Sequence, residues 1–140
     1  MGNTTLQKGG VFLNAFHCKP HIFFGAGALE QLHHCPAKSA LIVTDRFFAE
    51  SGTAQRIGAM IPGASLTVFS DVTPDPSTEL VAKGAAIFQQ CRPDVLIALG
   101  GGSPMVCAKA ILYLQNERPL FIAIPTTSGT GSEATSFSIV

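Results

Sequence analysis

Three consecutive glycines at positions 100–102 place the strongest constraint on how this chain can fold. They follow residues 94–99, a short run rich in aliphatic side chains that is typical of a strand buried on both faces. After the glycines, Ser103 is a favourable N-cap and Pro104 a favourable first residue of a helix. The stretch therefore predicts a strand, a tight turn without side chains, and a helix that begins at the turn.

A turn of this kind can bind an anion. Glycines leave backbone N–H groups accessible to a ligand, and the N-terminus of a helix adds free donors and a partial positive charge. The interpretation that we favour is a phosphate site. The alternative is a tight strand-to-helix connection without a ligand, since the stretch is neither the G-x-G-x-x-G dinucleotide pattern nor a P-loop with its lysine.

Short apolar runs alternate with helix-like segments along most of the chain. The alternation predicts an α/β fold with a mainly parallel sheet and helices on both faces. We expect residues 1–20 to form a lead-in segment and residues 21–140 to form one α/β domain. The predicted strands are 21–24, 39–44, 65–69, 94–99, 119–124 and 134–140, and the predicted helices are 28–34, 47–60, 78–91 and 104–115.

Three polar features follow predicted strands: Asp45, the turn at 100–103 and the loop at 125–132. Because ligands of parallel sheets bind beyond the carboxyl ends of the strands, we expect the three features to meet at one edge. Asp45 is either a helix cap or an acceptor for a ribose hydroxyl, and in the second role it would favour a free 2′-OH over a 2′-phosphate. The loop hydroxyls either satisfy their own backbone or contact a bound nucleotide.

Charge and cysteine content exclude several classes of function. Nine basic and nine acidic residues cancel, so the sequence predicts no nucleic-acid or anionic membrane surface. No apolar run approaches the ~18 residues that a bilayer-spanning helix needs. Four scattered cysteines predict reduced thiols in a cytoplasmic protein. The alternative is a metal site, whose candidate ligands also fit strand or helix surfaces: Cys18, His21, His33, His34 and Cys35.

With these residues in hand, the chain resembles the amino-terminal part of the iron-containing alcohol dehydrogenases. The resemblance covers roughly residues 20–140, and its most specific motifs are IALGGGSP at 97–104 and IPTTSGTGSE at 124–133. Further matches are FGAG at 24–27, LIVTD at 41–45 and PDP at 74–76. The short connection that precedes the second motif is most similar to the propanol and butanol dehydrogenase branch, which includes members found in diol-degrading microcompartments.

The resemblance implies an NAD(P)-dependent dehydrogenase of small primary alcohols or diols, or a reductase of small aldehydes. It implies that the glycine turn holds the cofactor pyrophosphate, that the threonines of the later loop contact the cofactor, and that Asp45 selects NAD over NADP. It also implies a dehydroquinate-synthase-like cofactor domain and a homo-oligomer. The predicted cofactor-binding residues are Asp45, Gly100, Gly101, Gly102, Ser103, Thr126, Thr127 and Thr130.

In such enzymes the metal, iron or zinc, is held by one aspartate and three histidines of a second, helical domain. None of that domain lies within these 140 residues. We therefore expect this chain to be a fragment that binds the cofactor weakly and has no catalytic turnover by itself. Its hydrophobic content of 46% fits a domain with an uncovered partner surface.

One position within the chain departs from the family pattern. Val106 stands where the family usually has an acidic residue. In the predicted helix it is the third residue, where an acid would complete a capping box with Ser103. We therefore expect Val106→Asp to raise thermal stability or NAD affinity.

Other interpretations remain open at this point. One is the cofactor domain of a glycerol-dehydrogenase or dehydroquinate-synthase relative. A second is a non-catalytic nucleotide-binding or assembly module that pairs through a sheet edge and an apolar face. A third is an unrelated flavodoxin-like domain that binds another phosphate ligand.

Overall fold

A computed structural model describes residues 2–8, 11–17 and 21–127. Four strands form one parallel sheet in the order β4-β3-β5-β6, and two more form an antiparallel pair in which Gly2 lies opposite His17. The elements in chain order are β1 Gly2–Lys8, β2 Val11–His17, a 3₁₀ helix Ala28–His34, β3 Ser39–Val43, α1 Arg46–Glu50, α2 Thr53–Ala59, β4 Ser65–Phe69, α3 Thr78–Cys91, β5 Val95–Gly100, α4 Gly102–Tyr113 and β6 Leu120–Pro125.

The two central strands, β3 and β5, are almost entirely buried. Val43 of β3 lies beside Phe69 of β4 and beside Ala98 of β5, and Gly100 lies beside Pro125 of β6. A parallel strand that is covered on both faces buries every side chain, which is why these strands are continuous aliphatic runs in the sequence. The predicted α/β fold with a parallel sheet is confirmed.

Helices cover both faces of the sheet. Alternate side chains of β3 and β5 point to opposite faces and form two separate cores. One core packs Leu41 and Ala98 against Phe88 of α3 and Met105 of α4. The other core packs Ile42 and Ile97 against α2 and the 3₁₀ helix, through Ile57 and Leu32. Each large aliphatic side chain buried in this way contributes about 1.5–3 kcal/mol to stability.

Two predicted elements differ from the structure. Residues 21–24 form no strand within the described part of the chain, and Phe24 is 90% exposed. Phe23 and Phe24 instead line an open groove beside β6. The helix predicted at 47–60 is two helices, because Gly52 has a φ of +80° and interrupts the helical backbone between α1 and α2.

The helix after the glycines begins earlier than predicted. Gly101 is the N-cap of α4 and Gly102 its first residue, so the predicted cap role of Ser103 is wrong. Pro104 becomes the third helical residue, where its missing N–H costs no intrahelical hydrogen bond. Val106 becomes the fifth residue and is 54% exposed, so an acid there cannot complete a capping box with Ser103. The strand predicted at 134–140 lies outside the described residues.

Candidate functional site

The order of the strands creates a crevice between the carboxyl ends of β3 and β5. From β3 the chain moves to one side to form β4, and then returns past β3 to form β5 and β6 on the other side. At such a switch point the connections diverge, and ligands of open α/β sheets bind in the crevice that this leaves. Asp45 follows β3 and the glycine turn ends β5, so the two predicted features flank the crevice.

Gly100 is the position of the turn at which a substitution is tolerated least. Its φ of +137° is a conformation that side chains rarely permit. A Cβ atom on Gly100 would also come within 2.8 Å of Pro104 Cγ in the first turn of α4. Gly100 therefore lets the chain fold back from β5 into α4 over a very short distance.

The loop after β6 is attached to this turn. The Thr126 N–H donates a 2.9 Å hydrogen bond to the Gly100 carbonyl oxygen. A Cβ atom on Gly101 would lie 3.2 Å from Thr127 Oγ1 and 3.4 Å from Thr127 Cγ2, so the Thr127 side chain lies directly over the bare backbone of Gly101. The predicted convergence of the turn with Thr126 and Thr127 is found, and Thr130 lies outside the described residues.

The start of α4 has donors for an anion. No side chain of the described residues caps this helix. The N–H groups of Gly102 and Ser103 belong to the first turn, which has no intrahelical acceptors, while Pro104 has no N–H to offer. Together with the positive end of the helix dipole, these groups fit a phosphate at the first turn of α4, beside the Thr127 side chain that covers Gly101.

Asp45 caps α1, as one of its two predicted roles requires. Its Oδ1 accepts a 3.2 Å hydrogen bond from the Phe48 N–H, and the side chain is half-buried. A carboxylate accepts several hydrogen bonds through its two oxygens, so the cap leaves capacity for a ribose hydroxyl. The cap also fixes the direction of the carboxylate beside the crevice.

Sequence reasoning missed a second carboxylate at this edge. Asp71 follows β4 and forms an ion pair with Lys83 of α3. The hydrogen bond and the charge of Lys83 lower the pKa of the Asp71 carboxyl, and the charge of Arg46 lowers it further. In the sequence Asp71 stands in a turn-rich loop, and its pairing with a residue twelve positions away has no local signal.

The candidate metal ligands that lie within the described residues, His21, His33, His34 and Cys35, do not form a metal site. The described residues contain no group of three or more histidine, cysteine or acidic side chains that could hold a metal ion. His33 contacts Glu30 at 3.1 Å on the 3₁₀ helix, and the thiols of Cys35, Cys91 and Cys107 are free. Cys18 lies outside the described residues.

An apolar groove of about 510 Å³ adjoins the site on the face of β6. Phe23, Phe24 and Leu29 line one wall, and Leu120 and Ile122 line the other.

Within the part of the chain that the structure describes, no helix has the length and apolar character that a membrane span would need.

Comparison with known proteins agrees with this architecture. Residues 19–140 match the family model described as iron-containing alcohol dehydrogenase. The chain is 38% identical to the 1-propanol dehydrogenase PduQ of Citrobacter freundii over 133 residues, which are 91% of this chain and 36% of that protein. It is 36% identical to an NADPH-dependent butanol dehydrogenase of Clostridium saccharobutylicum, covering 85% of this chain and 36% of the relative.

Solved structures show the same relationship. The sulfoacetaldehyde reductase of Bifidobacterium kashiwanohense, in complex with NAD+, has a TM-score of 0.77 and 31% identity over 86% of this chain and 38% of that one. A 1,3-propanediol oxidoreductase has a TM-score of 0.70 and 30% identity, over 83% and 36% of the two chains. The chain thus spans little more than a third of these proteins.

The relatives confirm the expected resemblance to the propanol and butanol dehydrogenase branch. The match covers Asp45, the glycine turn and residues 125–132, which contain the threonines weighed above. This chain belongs to the iron-containing alcohol dehydrogenase family.

Proposed function

We propose that this chain is the nucleotide-binding part of a metal-dependent alcohol dehydrogenase or aldehyde reductase that uses NAD and acts on small primary alcohols or diols. The observation that carries the proposal is the glycine turn at the switch point of the sheet. There, a helix without a side-chain cap directs its first N–H groups into a crevice beside a carboxylate. Family membership supports the same chemistry.

In this proposal the diphosphate of the dinucleotide lies on the backbone of Gly100, Gly101 and Gly102 and accepts hydrogen bonds from the first turn of α4, including the Ser103 N–H. Pyrophosphate at a helix N-terminus is stabilised by the same donors and dipole that the structure presents here. The hydroxyl groups of Thr126, Thr127 and Thr130 contact the sugar phosphate or the nicotinamide amide.

Asp45 gives the preference for NAD. Its carboxylate accepts the ribose 2′-OH and repels a 2′-phosphate. One relative is named as NADPH-dependent and one solved neighbour was determined with NAD+, so cofactor preference has to come from particular residues of each chain. Asp45, held in place by its cap to Phe48, is the residue we assign to this choice.

The nicotinamide supplies hydride transfer, and a bound iron or zinc ion supplies polarisation of the alcohol oxygen. The described residues include no group that could hold that ion. The contribution of this chain is therefore to bind and orient the dinucleotide, and we expect little or no turnover without ligands from elsewhere.

The surface supports a homo-oligomer in the cytoplasm, or within a bacterial microcompartment. Several large apolar side chains are exposed, among them Phe24 at 90%, Phe47 at 70% and Tyr113 at 84%. Contiguous apolar surface is typical of an interaction face, and Phe24 belongs to the apolar groove beside β6. The three free thiols of the described region fit a reducing compartment.

Calorimetric titration of the chain with NAD+ and NADP+ tests the proposal, together with an NADH-oxidation assay that contains propanal and ferrous iron. We expect binding that favours NAD+ and no turnover. Turnover by this chain alone would contradict the fragment interpretation. Absence of dinucleotide binding together with stable self-association on size-exclusion chromatography would instead favour the assembly module.

A further inference from the structure

We propose that Asp71 is a second determinant of the NAD preference, because it neutralises two cations, Arg46 and Lys83, that would otherwise attract the 2′-phosphate of NADP. The inference rests on the proposed NAD site and extends it to a residue on a different strand end.

The sheet places Asp71 next to Asp45. Val43 and Phe69 are partners in the parallel register. Asp45 follows Val43 by two residues, and Asp71 follows Phe69 by two residues. The pairing continues beyond the strands, because the Thr44 N–H donates to the Phe69 carbonyl oxygen at 2.9 Å and the Val72 N–H donates to the Thr44 carbonyl oxygen at 3.4 Å. Asp71 therefore lies on a backbone segment that is held against the residue preceding Asp45.

One cation contacts this carboxylate, and a second contributes to its electrostatic surroundings from a different element. Lys83 of α3 forms an ion pair with Asp71 Oδ2. Arg46, the exposed first residue of α1, lies near enough for its charge to lower the pKa of the Asp71 carboxyl. The four side chains of this edge, Asp45, Asp71, Arg46 and Lys83, have formal charges that sum to zero.

A 2′-phosphate would lie beside Asp45 and hence beside Arg46, which is its neighbour in sequence. An arginine at this place is what accommodates the 2′-phosphate in NADP-dependent dinucleotide domains, since guanidinium binds phosphate through charge-assisted hydrogen bonds. Here Asp71 competes for that arginine and holds the lysine. The edge therefore contains the cations that NADP needs, and Asp71 makes them unavailable.

The test measures dissociation constants of the 140-residue chain for NAD+ and NADP+ by calorimetry, with circular dichroism to verify folding. Because the Asp71–Lys83 pair is exposed, Asp71→Asn should leave the fold intact. We expect Asp71→Asn to tighten NADP+ binding about tenfold, the scale of a charge-assisted hydrogen bond, and to leave NAD+ binding unchanged. The gain should persist when Asp45→Asn is added.

Two further variants decide the cause. Asp75→Asn removes the same charge from an exposed acid of the same loop and should not change the NADP+ affinity. Adding Arg46→Gln to Asp71→Asn should abolish most of the gain, because the phosphate then loses its arginine.

The possible failures are distinct. If NAD+ binds but Asp71→Asn and Asp75→Asn have equal effects, or neither has any, Asp71 is only a structural ion pair and the inference is wrong while the NAD site stands. If the unmodified chain binds neither dinucleotide, the proposed function itself is overturned, and the inference with it.

Discussion

The Thr44 hydroxyl donates a 2.8 Å hydrogen bond to the Leu99 carbonyl oxygen, and both residues are buried. This bond joins Thr44, which lies between β3 and Asp45, to Leu99 of β5, which immediately precedes Gly100. It therefore fixes the distance between the two groups to which we assign the ribose and the pyrophosphate. A ligand that contacts both groups requires that distance to be constant.

Thr44→Val should weaken both stability and dinucleotide binding. Valine has nearly the shape of threonine but leaves the buried Leu99 carbonyl oxygen without this donor, at a cost of about 1–3 kcal/mol. Urea unfolding and calorimetric titration with NAD+ measure the two effects. Thr44→Ser is the matched control, since it keeps the hydroxyl. Equal stability of the threonine and valine forms would mean that this hydrogen bond does not contribute to the free energy of unfolding.

Gly100→Ala should destabilise the fold. The new methyl group must adopt an unfavourable φ and also approach Pro104 Cγ at 2.8 Å. Strain of these two kinds costs of the order of 1–3 kcal/mol each, so we expect a fall of several degrees in the melting temperature. Gly63→Ala is the comparison, because Gly63 has a φ of +71° but open space around the position of its Cβ. The excess destabilisation of Gly100→Ala over Gly63→Ala measures the contact with Pro104 together with the rarer φ of +137°.

Gly101→Ala should spare the fold and impair binding. Gly101 has an ordinary φ of −86°, so the backbone accepts alanine there. The methyl group would lie only 3.2 Å from Thr127 Oγ1 and would displace the Thr127 side chain, next to the first turn of α4 where we place the diphosphate. We expect the melting temperature to change little and the NAD+ affinity to fall at least about tenfold, the loss of one charge-assisted hydrogen bond. Unchanged NAD+ affinity would move the diphosphate away from this turn.

Much of this arrangement could be predicted from the sequence because parallel strands have a strong local signature. Residues 94–99 and 39–44 are continuous aliphatic runs, and both are central strands in the structure. Glycines and prolines marked several other connections, although Gly52, which separates α1 from α2, was assigned to a single helix. The prediction that Asp45 and the glycine turn lie at the same edge of the sheet followed from topology rules alone.

The errors in the positions of helix ends have one physical origin: where a helix begins or breaks depends on local backbone geometry. Ser103 is a good cap by composition, yet the helix begins at Gly102, since Gly100 already makes the turn that a cap would have made. The expected effect of Val106→Asp loses its basis for the same reason. The Asp71–Lys83 pair and the Thr44–Leu99 bond join residues distant in sequence, so neither had a pattern to detect.

Asp45 should separate stability from cofactor choice through two substitutions. Asp45→Asn keeps an oxygen that can accept from the Phe48 N–H, so the cap and the fold should be retained while the charge is lost. The preference for NAD+ over NADP+ should then decrease. Asp45→Ala should lose the same preference and also about 1 kcal/mol of stability, because the cap is gone. If asparagine retains the full preference, Asp45 is a cap and no more.

Because of Cys107, the free energy of unfolding of this chain should fall as the pH rises above about 9. The side chain is buried in α4 against the sheet, and burial raises the pKa of its thiol to about 11. In the unfolded chain the thiol titrates near its usual value of 9.0. Below that pH both states hold the proton and the contribution to stability is complete. As the pH rises towards 11, the unfolded state releases the proton first, and the free energy of unfolding falls.

Urea unfolding at several pH values between 8 and 11 tests this dependence, with Cys107→Ala as the variant that lacks the thiol. Lysine and tyrosine side chains also titrate in this range, so the informative quantity is the difference in slope between the two proteins. We expect the chain with Cys107 to lose stability more steeply. Cys91→Ala, which removes a half-buried thiol from α3, should change the slope less. Parallel curves for the chain with Cys107 and for Cys107→Ala would show that the thiol ionises as readily in the folded state as in the unfolded one.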